Sequence, residues 1–200
     1  MKPLLTYYGG KQRMLKHILP LIPEHTTYVE PFFGGGAVFF AKEPAKLSVI
    51  NDTNEELINF YRVYKTRFAE LKPLLESTLH SRAQYKKSRE IYQNPDKYDE
   101  VTRAWALWFQ ANFSYLSKIL HGFSHTKKST MDVKTVARCK EKAIEHVEEY
   151  VKRLELSTIE CMDALYVIKT YDTEETFIYC DPPYIDTNQG HYSGYTDKDF

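Results

Sequence analysis

The sequence is short of several things. Its 200 residues include three cysteines, Cys139, Cys161 and Cys180. No two of them stand at a spacing that suits a disulfide framework or a zinc site, so a reducing compartment is expected. Charge of one sign is not in excess: 27 Lys and Arg balance 27 Asp and Glu. Nothing global announces a polyanion partner, and any such surface must be local. No apolar run is long enough to span a bilayer and no signal-peptide pattern opens the chain, so a cytoplasmic protein is expected. Repeats and low-complexity segments are missing. Glycine is scarce, at eight, which makes the three in a row at 34–36 conspicuous. What is abundant is apolar and aromatic: 42% hydrophobic residues and 16 tyrosines. That is enough for the core of one domain, or of one domain carrying an insertion.

Along the chain, "KQRMLKHILPLI" (11–22) has helical spacing until Pro20 and Pro23 end it. "TYVEPF" (27–32), "KLSVIND" (46–52), "LSTIEC" (156–161) and "TFIYC" (176–180) read as strands. "GGGAVFFAK" (34–42) is a Gly-rich turn opening into a helix, and 53–79 reads as one helix, with Thr53 as N-cap and Glu56 completing a capping box. Strands alternating with helices imply an α/β fold with a mostly parallel sheet. Residues 80–150 break the alternation. They are helical in pattern, with an aromatic cluster, "WALWFQANFSY", in which Trp105, Trp108 and Phe109 read as core.

Four stretches carry chemistry. "VEPFFGGGAVFF" (29–40) places a tight turn where α/β sheets bind ligands, beyond the carboxyl end of a strand. It lacks the G-x-G-x-x-G spacing and the Lys-Ser/Thr pair of phosphate loops, so a ligand with little negative charge suits it. Asp52 ends the second strand, where an acid can accept from both hydroxyls of a ribose or serve a helix N-terminus. In "DPPY" (181–184), two prolines cannot continue a strand. Asp181 is thereby aimed off the strand tip, and the Pro182 carbonyl is left as an acceptor. An exocyclic amine has two N–H donors to satisfy such a pair, and Tyr184 can stack on the ring that bears it. Finally, "LLTYYGGKQRML" (4–15) sets aromatics able to cover an adenine or a sulfonium, and Lys11 able to hold a carboxylate, before a helix.

Taken together and in this order, "YYGGKQRM", "EPFFGGGAVFF", a helical block and "DPPY" resemble the Dam-like N6-adenine-specific DNA methyltransferases, in the alpha-group arrangement of amino-methyltransferases. The resemblance covers essentially the whole chain, the helical block loosely. It implies a Rossmann-like methyltransferase sheet with helices on both faces. The catalytic domain would be 1–79 and 151–200, and an inserted target-recognition region 80–150. The implied cofactor is S-adenosylmethionine, held by Tyr7, Lys11, Glu30, Pro31, Phe32 and the Gly34 to Gly36 turn, with its ribose on Asp52, its adenine near Asp163 and its methyl region near Asp181. The implied reaction is direct methyl transfer to N6 of an adenine flipped out of duplex DNA. Asp181 and Pro182 accept from N6, Pro183 stiffens the loop, Tyr184 stacks on the base, and no metal takes part. DNA contacts would come from Lys86, Lys87 and Arg89 and from Asn112, Tyr115, Lys118, Lys127 and Lys128. A restriction-modification or phage setting, with a cognate nuclease as companion, goes with the family. Relatives carry further strands after the DPPY loop, so a C-terminally incomplete sheet with the DPPY strand at its edge is expected. Two alternatives keep some of these features: an N-methyltransferase acting on another amine or amide, and a remnant that binds DNA or cofactor without turnover. A dinucleotide-dependent oxidoreductase would leave DPPY unexplained.

Overall fold

The computed structural model of the protein describes residues 1–127 and 129–183. The helix expected over 11–22 is one turn of α-helix, α1 (Leu15–Ile18), between two tighter 3-10 turns, Lys11–Arg13 and Leu19–Leu21. Pro20 lies in the second of these, where a full i→i−4 ladder cannot continue. There follow β1 (Thr27–Glu30), α2 (Ala37–Ala41), β2 (Leu47–Asn51), α3 (Glu55–Thr66) and α4 (Phe68–Glu76). The helical block comprises α5 (Arg82–Gln93), α6 (Glu100–Phe113), α7 (Met131–Glu145) and α8 (Val147–Glu155). The chain returns to the sheet with β3 (Ser157–Glu160), α9 (Ala164–Tyr171) and β4 (Thr176–Ile178).

The strands form one parallel sheet in the order β3-β2-β1-β4. Val29 of β1 is paired with Val49 on one side and Ile178 on the other. Because side chains alternate along a strand, Val29 and Val49 share one face, where they meet Val167 and Tyr171 of α9. Tyr28 and Ile50 face the opposite way, into the main cluster with α2, α3 and the helical block. Helices therefore cover both faces, as expected for a Rossmann-like methyltransferase sheet. The chain order moves outward from β1 to β3 and then returns to the other side of β1. The β1/β4 boundary is thus a topological switch point, the place where open α/β sheets form a ligand crevice.

The long helix expected over 53–79 differs in two respects. Its cap is Asn54, whose side chain accepts from the backbone N–H groups of Glu56 and Leu57, rather than Thr53. Glu56 is consequently not a capping-box partner; it is buried and forms an ion pair with Arg103 of α6. The helix also breaks at Arg67, whose φ of −132° is non-helical, and α4 departs from there to pack on α6 and α7. In the block, α6 is buried on nearly every side. Trp105, Trp108 and Phe109 lie in the core, as their aromatic pattern implies. The block shares one continuous apolar cluster with α2, α3 and β1.

Candidate active site

The floor of the site is the turn between β1 and α2. Gly34 and Gly36 have φ values of +48° and +65°, a region costly for residues with a Cβ. At Gly36 a Cβ would lie 2.4 Å from the Phe33 ring, so close packing as well as conformation demands glycine. Over Gly34 sits the ring of Tyr7, 3.3 Å from where a Cβ would be. Two residues at the end of β2 hold this turn. Asp52 accepts from the Gly34 N–H at 2.9 Å with one carboxylate oxygen and from the Asn54 N–H at 2.9 Å with the other. Asn51 donates to the Pro31 carbonyl at 2.9 Å and exchanges bonds with the Met162 backbone. Its side chain thereby laces together the carboxyl ends of β1, β2 and β3.

Beside the turn, at the switch point, is a cavity of about 260 Å³. Tyr7, Lys11, Glu30, Phe32, Gly34, Gly36 and Asp181 all line it, so residues up to 174 positions apart meet there. Lys11 donates to both oxygens of Asp181, at 2.7 and 2.5 Å, and to the Gly9 carbonyl at 3.1 Å. Glu30, at the tip of neighbouring β1, is 3% exposed. Burial above all, with the Asp181 charge adding to it, pushes its pKa up to about 8; the hydrogen bond from the Tyr28 hydroxyl, 2.7 Å away, opposes the shift. Burial thus favours the protonated form of Glu30 at neutral pH, while the Asp181 carboxylate beside it is paired with the Lys11 ammonium.

Several expected residues are not in this cavity. Pro31 is buried beneath it, and its carbonyl is bonded to Asn51. Asp52 is 4% exposed, and its bonds go to the backbone; burial raises its pKa against the pull of those N–H groups. The role the structure gives it is to hold the turn. Asp163 caps α9, accepting from the Tyr166 N–H at 3.0 Å. Pro182 and Pro183 are half-buried beside Asp181, while Tyr184 lies outside the described residues. Tyr8, the second aromatic of "YYGG", lines the cavity as well, and among the lining residues that the sequence did not single out are Tyr179 and, from α7, Lys142.

The two basic stretches expected to meet DNA come together. Lys86, Lys87 and Arg89 are exposed on α5, while Tyr85, Ser88 and Ile91 of the same helix are buried. The loop after α6 packs against the start of α5: the Phe123 ring stacks on His80 at 4.4 Å, the Arg82 guanidinium lies 5.4 Å from the same ring, and the Gly122 N–H donates to the Tyr85 hydroxyl at 2.8 Å. The loop is closed by a bridge between Ser114 and Phe123 and holds Leu116, Ser117 and Leu120 at positive φ. Tyr115 and Leu116 are exposed at its tip. Lys118 turns back over the Tyr8 ring at 4.2 Å, which joins this loop to the rim of the cavity. Lys127 is exposed, and Lys128 lies outside the described residues. The expectation that Asn112 enters a groove is corrected. It is 8% exposed, and it accepts from both the N–H and the hydroxyl of Thr6, tying α6 to the N-terminal segment.

Comparison with known proteins identifies a family. The family model described as D12 class N6 adenine-specific DNA methyltransferase matches residues 7–200. The chain is 32% identical over 219 residues to the type II methyltransferase M1.LlaDCHI of Lactococcus lactis subsp. cremoris, covering 100% of this chain and 72% of that protein. It is 30% identical over 225 residues to the type II methyltransferase M.MjaIII of Methanocaldococcus jannaschii, covering 100% and 75%. It is 26% identical over 189 residues to a DNA adenine methylase of Vibrio cholerae, covering 92% and 65%. The family model spans nearly the whole chain, and the chain belongs to the D12 class N6 adenine-specific DNA methyltransferases.

Proposed function

We propose that the protein transfers a methyl group from S-adenosylmethionine to N6 of an adenine flipped out of duplex DNA, with residues 80–150 supplying target recognition. The observation that carries this reading is the Lys11–Asp181 pair, set at the β1/β4 switch point against the Gly-rich turn. The residues present suit the donor. The turn lacks a phosphate-binding lysine, tyrosines surround the cavity to face a cation, and lysines reach it to face a carboxylate. S-adenosylmethionine supplies an electrophilic methyl group.

The chain's own residues do the rest. Asp181 accepts from the N6 amine, with the Pro182 carbonyl as second acceptor, so the nitrogen lone pair is held in one direction. Tyr184 stacks on the base. Keeping Glu30 neutral avoids a second negative charge beside Asp181, whose acceptor strength is left to the target amine. Most of the rate enhancement then comes from positioning and fixed charge. In this reading Asp163, exposed at the N-terminus of α9, meets the nucleoside end of the donor, and Asp52 acts from beneath by holding the Gly-rich turn. Lys86, Lys87, Arg89, Lys118, Lys127 and Lys128 meet phosphates, and Tyr115 with its exposed loop tip meets the groove. The protein acts in the cytoplasm. Relatives named as type II methyltransferases favour a restriction-modification setting with a cognate nuclease as companion.

The test is transfer of label from radioactive S-adenosylmethionine to unmethylated duplex DNA, beside Asp181→Ala. Label should appear in N6-methyladenine and fall by about a thousandfold or more in the variant. S-adenosylhomocysteine should still bind the variant. Label that persists in Asp181→Ala, or that enters another base, would overturn the reading.

A further inference from the structure

Three lysines line the cavity beside the Gly-rich turn, Lys2, Lys11 and Lys142, and their circumstances differ: Lys2 is exposed to water. Lys11 is matched by Asp181. Lys142 comes from α7, in the helical block, and donates to the Pro3 carbonyl at 2.6 Å. Among the described residues no carboxylate lies within ion-pair distance of it. An ammonium has three N–H donors, so one carbonyl leaves capacity for a further acceptor. Lys142 is half-buried and also borders a second hollow, lined with Arg138, Tyr150 and the acids Glu141 and Glu149, neither of which forms an ion pair with it. Burial first, and the nearby Lys2 ammonium in addition, lower its pKa, while Cys139 opposes the shift. A cation held away from water without a counter-ion costs free energy, and an arriving anion offsets that cost. The amino-acid end of S-adenosylmethionine brings a carboxylate to this cavity, and Lys11 is already committed to Asp181.

We propose that Lys142 is the anchor for the carboxylate of the methyl donor, so that α7 forms part of the donor site. This rests on the donor named above. The helical block then serves both substrates. The segment carrying the DNA-facing loop continues into the helix that grips the donor, and donor binding clamps α7 against the N-terminal segment at Pro3.

The test compares two ligands by calorimetry on the whole chain: S-adenosylhomocysteine, and its decarboxylated analogue, which differs only in lacking the carboxylate. The wild-type chain should prefer the first by about 10- to 100-fold, the scale of a charge-assisted hydrogen bond. Lys142→Met should reduce that preference to about twofold or less, and Lys142→Arg should keep most of it. In methylation assays Lys142→Met should raise the KM for the donor and leave kcat near the wild-type value. A variant that keeps the full preference overturns the assignment, and so does one that loses both ligands equally, because the side chain would then only support the fold. If Lys142→Met does not fold, Lys142→Gln, which retains a donor for the Pro3 carbonyl, gives the same reading. Wild-type protein that binds neither ligand sinks the proposed donor itself, and this assignment with it.

Discussion

The carboxyl edge of the sheet and the outer face of α5 both carry charge, and they handle it in opposite ways. At the edge, Lys11 is matched by Asp181, Glu30 is neutralised by burial, and Asp52 is held by two backbone N–H groups. On α5, Lys86, Lys87 and Arg89 stand exposed. The edge sits in a low dielectric, where an unmatched charge is costly and a matched one is fixed in place. The α5 face sits in water, where charge is cheap, screened and tolerant of position. Chemistry at a single atom needs the first kind of region, and attraction to a phosphate backbone needs only the second.

The largest effect should come where the rule of the edge recurs at the seam between α3 and the helical block. Glu56 and Arg103 form a half-buried ion pair, with both guanidinium Nε contacts at 3.0 and 3.1 Å. Glu56→Ala strands the guanidinium between α3 and α6 and should cost about 3–5 kcal/mol in urea unfolding. A cost under about 1 kcal/mol would show that apolar packing alone joins the block to the sheet layer.

Next in size is a pH effect at the edge. The folded pKa of Glu30 is raised to about 8 from 4.5. Its contribution is fully present below the unfolded value and is lost as pH rises through about 8. Glu30→Gln should therefore be no more stable than wild type near pH 5 and more stable, by about 2–3 kcal/mol, near pH 8. Lys42 shifts the other way, its pKa lowered to about 8 chiefly by burial, so its own contribution grows only above that pH and leaves this window flat. Parallel stability curves for variant and wild type from pH 5 to 8 would mean that Glu30 is ionised when folded.

The smallest effect per residue is expected on α5. Replacing Lys86, Lys87 and Arg89 by Ala should weaken DNA binding alike for all sequences and flatten the salt dependence by about 0.9 per lost phosphate contact. S-adenosylhomocysteine affinity should stay within about twofold. An unchanged salt slope would make this face merely solvated.

Much of the fold was legible in the sequence. Each strand is a short apolar run ending in a polar or turn residue, and the intervening helices force parallel order. Several residues that line the cavity, Gly34, Gly36 and Asp181 among them, were singled out from the sequence, whereas Asp52 and Asp163, also singled out, bond to the backbone of a turn and a helix start. What was hidden depends on distance along the chain. Lys11 and Asp181 are 170 residues apart, and nothing local says that they pair. Lys142 sits beside the buried stripe of Val136, Cys139 and Ala143 and reads as an ordinary helix-flank lysine. Asn112 follows an aromatic cluster and looks like the start of a polar loop, yet Thr6 draws it into the fold. The cap at Asn54 rather than Thr53 is a one-residue shift, set by Asp52 accepting the Asn54 N–H and fixing the entry to the helix.

Gly36 has a consequence for how the motif constrains substitution. The space that a side chain would need there is filled by Phe33, not by a ligand. In a saturation library selected only for folding, position 36 should already come back as glycine, while positions 11 and 181 should tolerate many residues. Selection for DNA methylation should then fix 11 and 181 as well. Two kinds of invariance are interleaved in this one site, and only the second kind reports on chemistry.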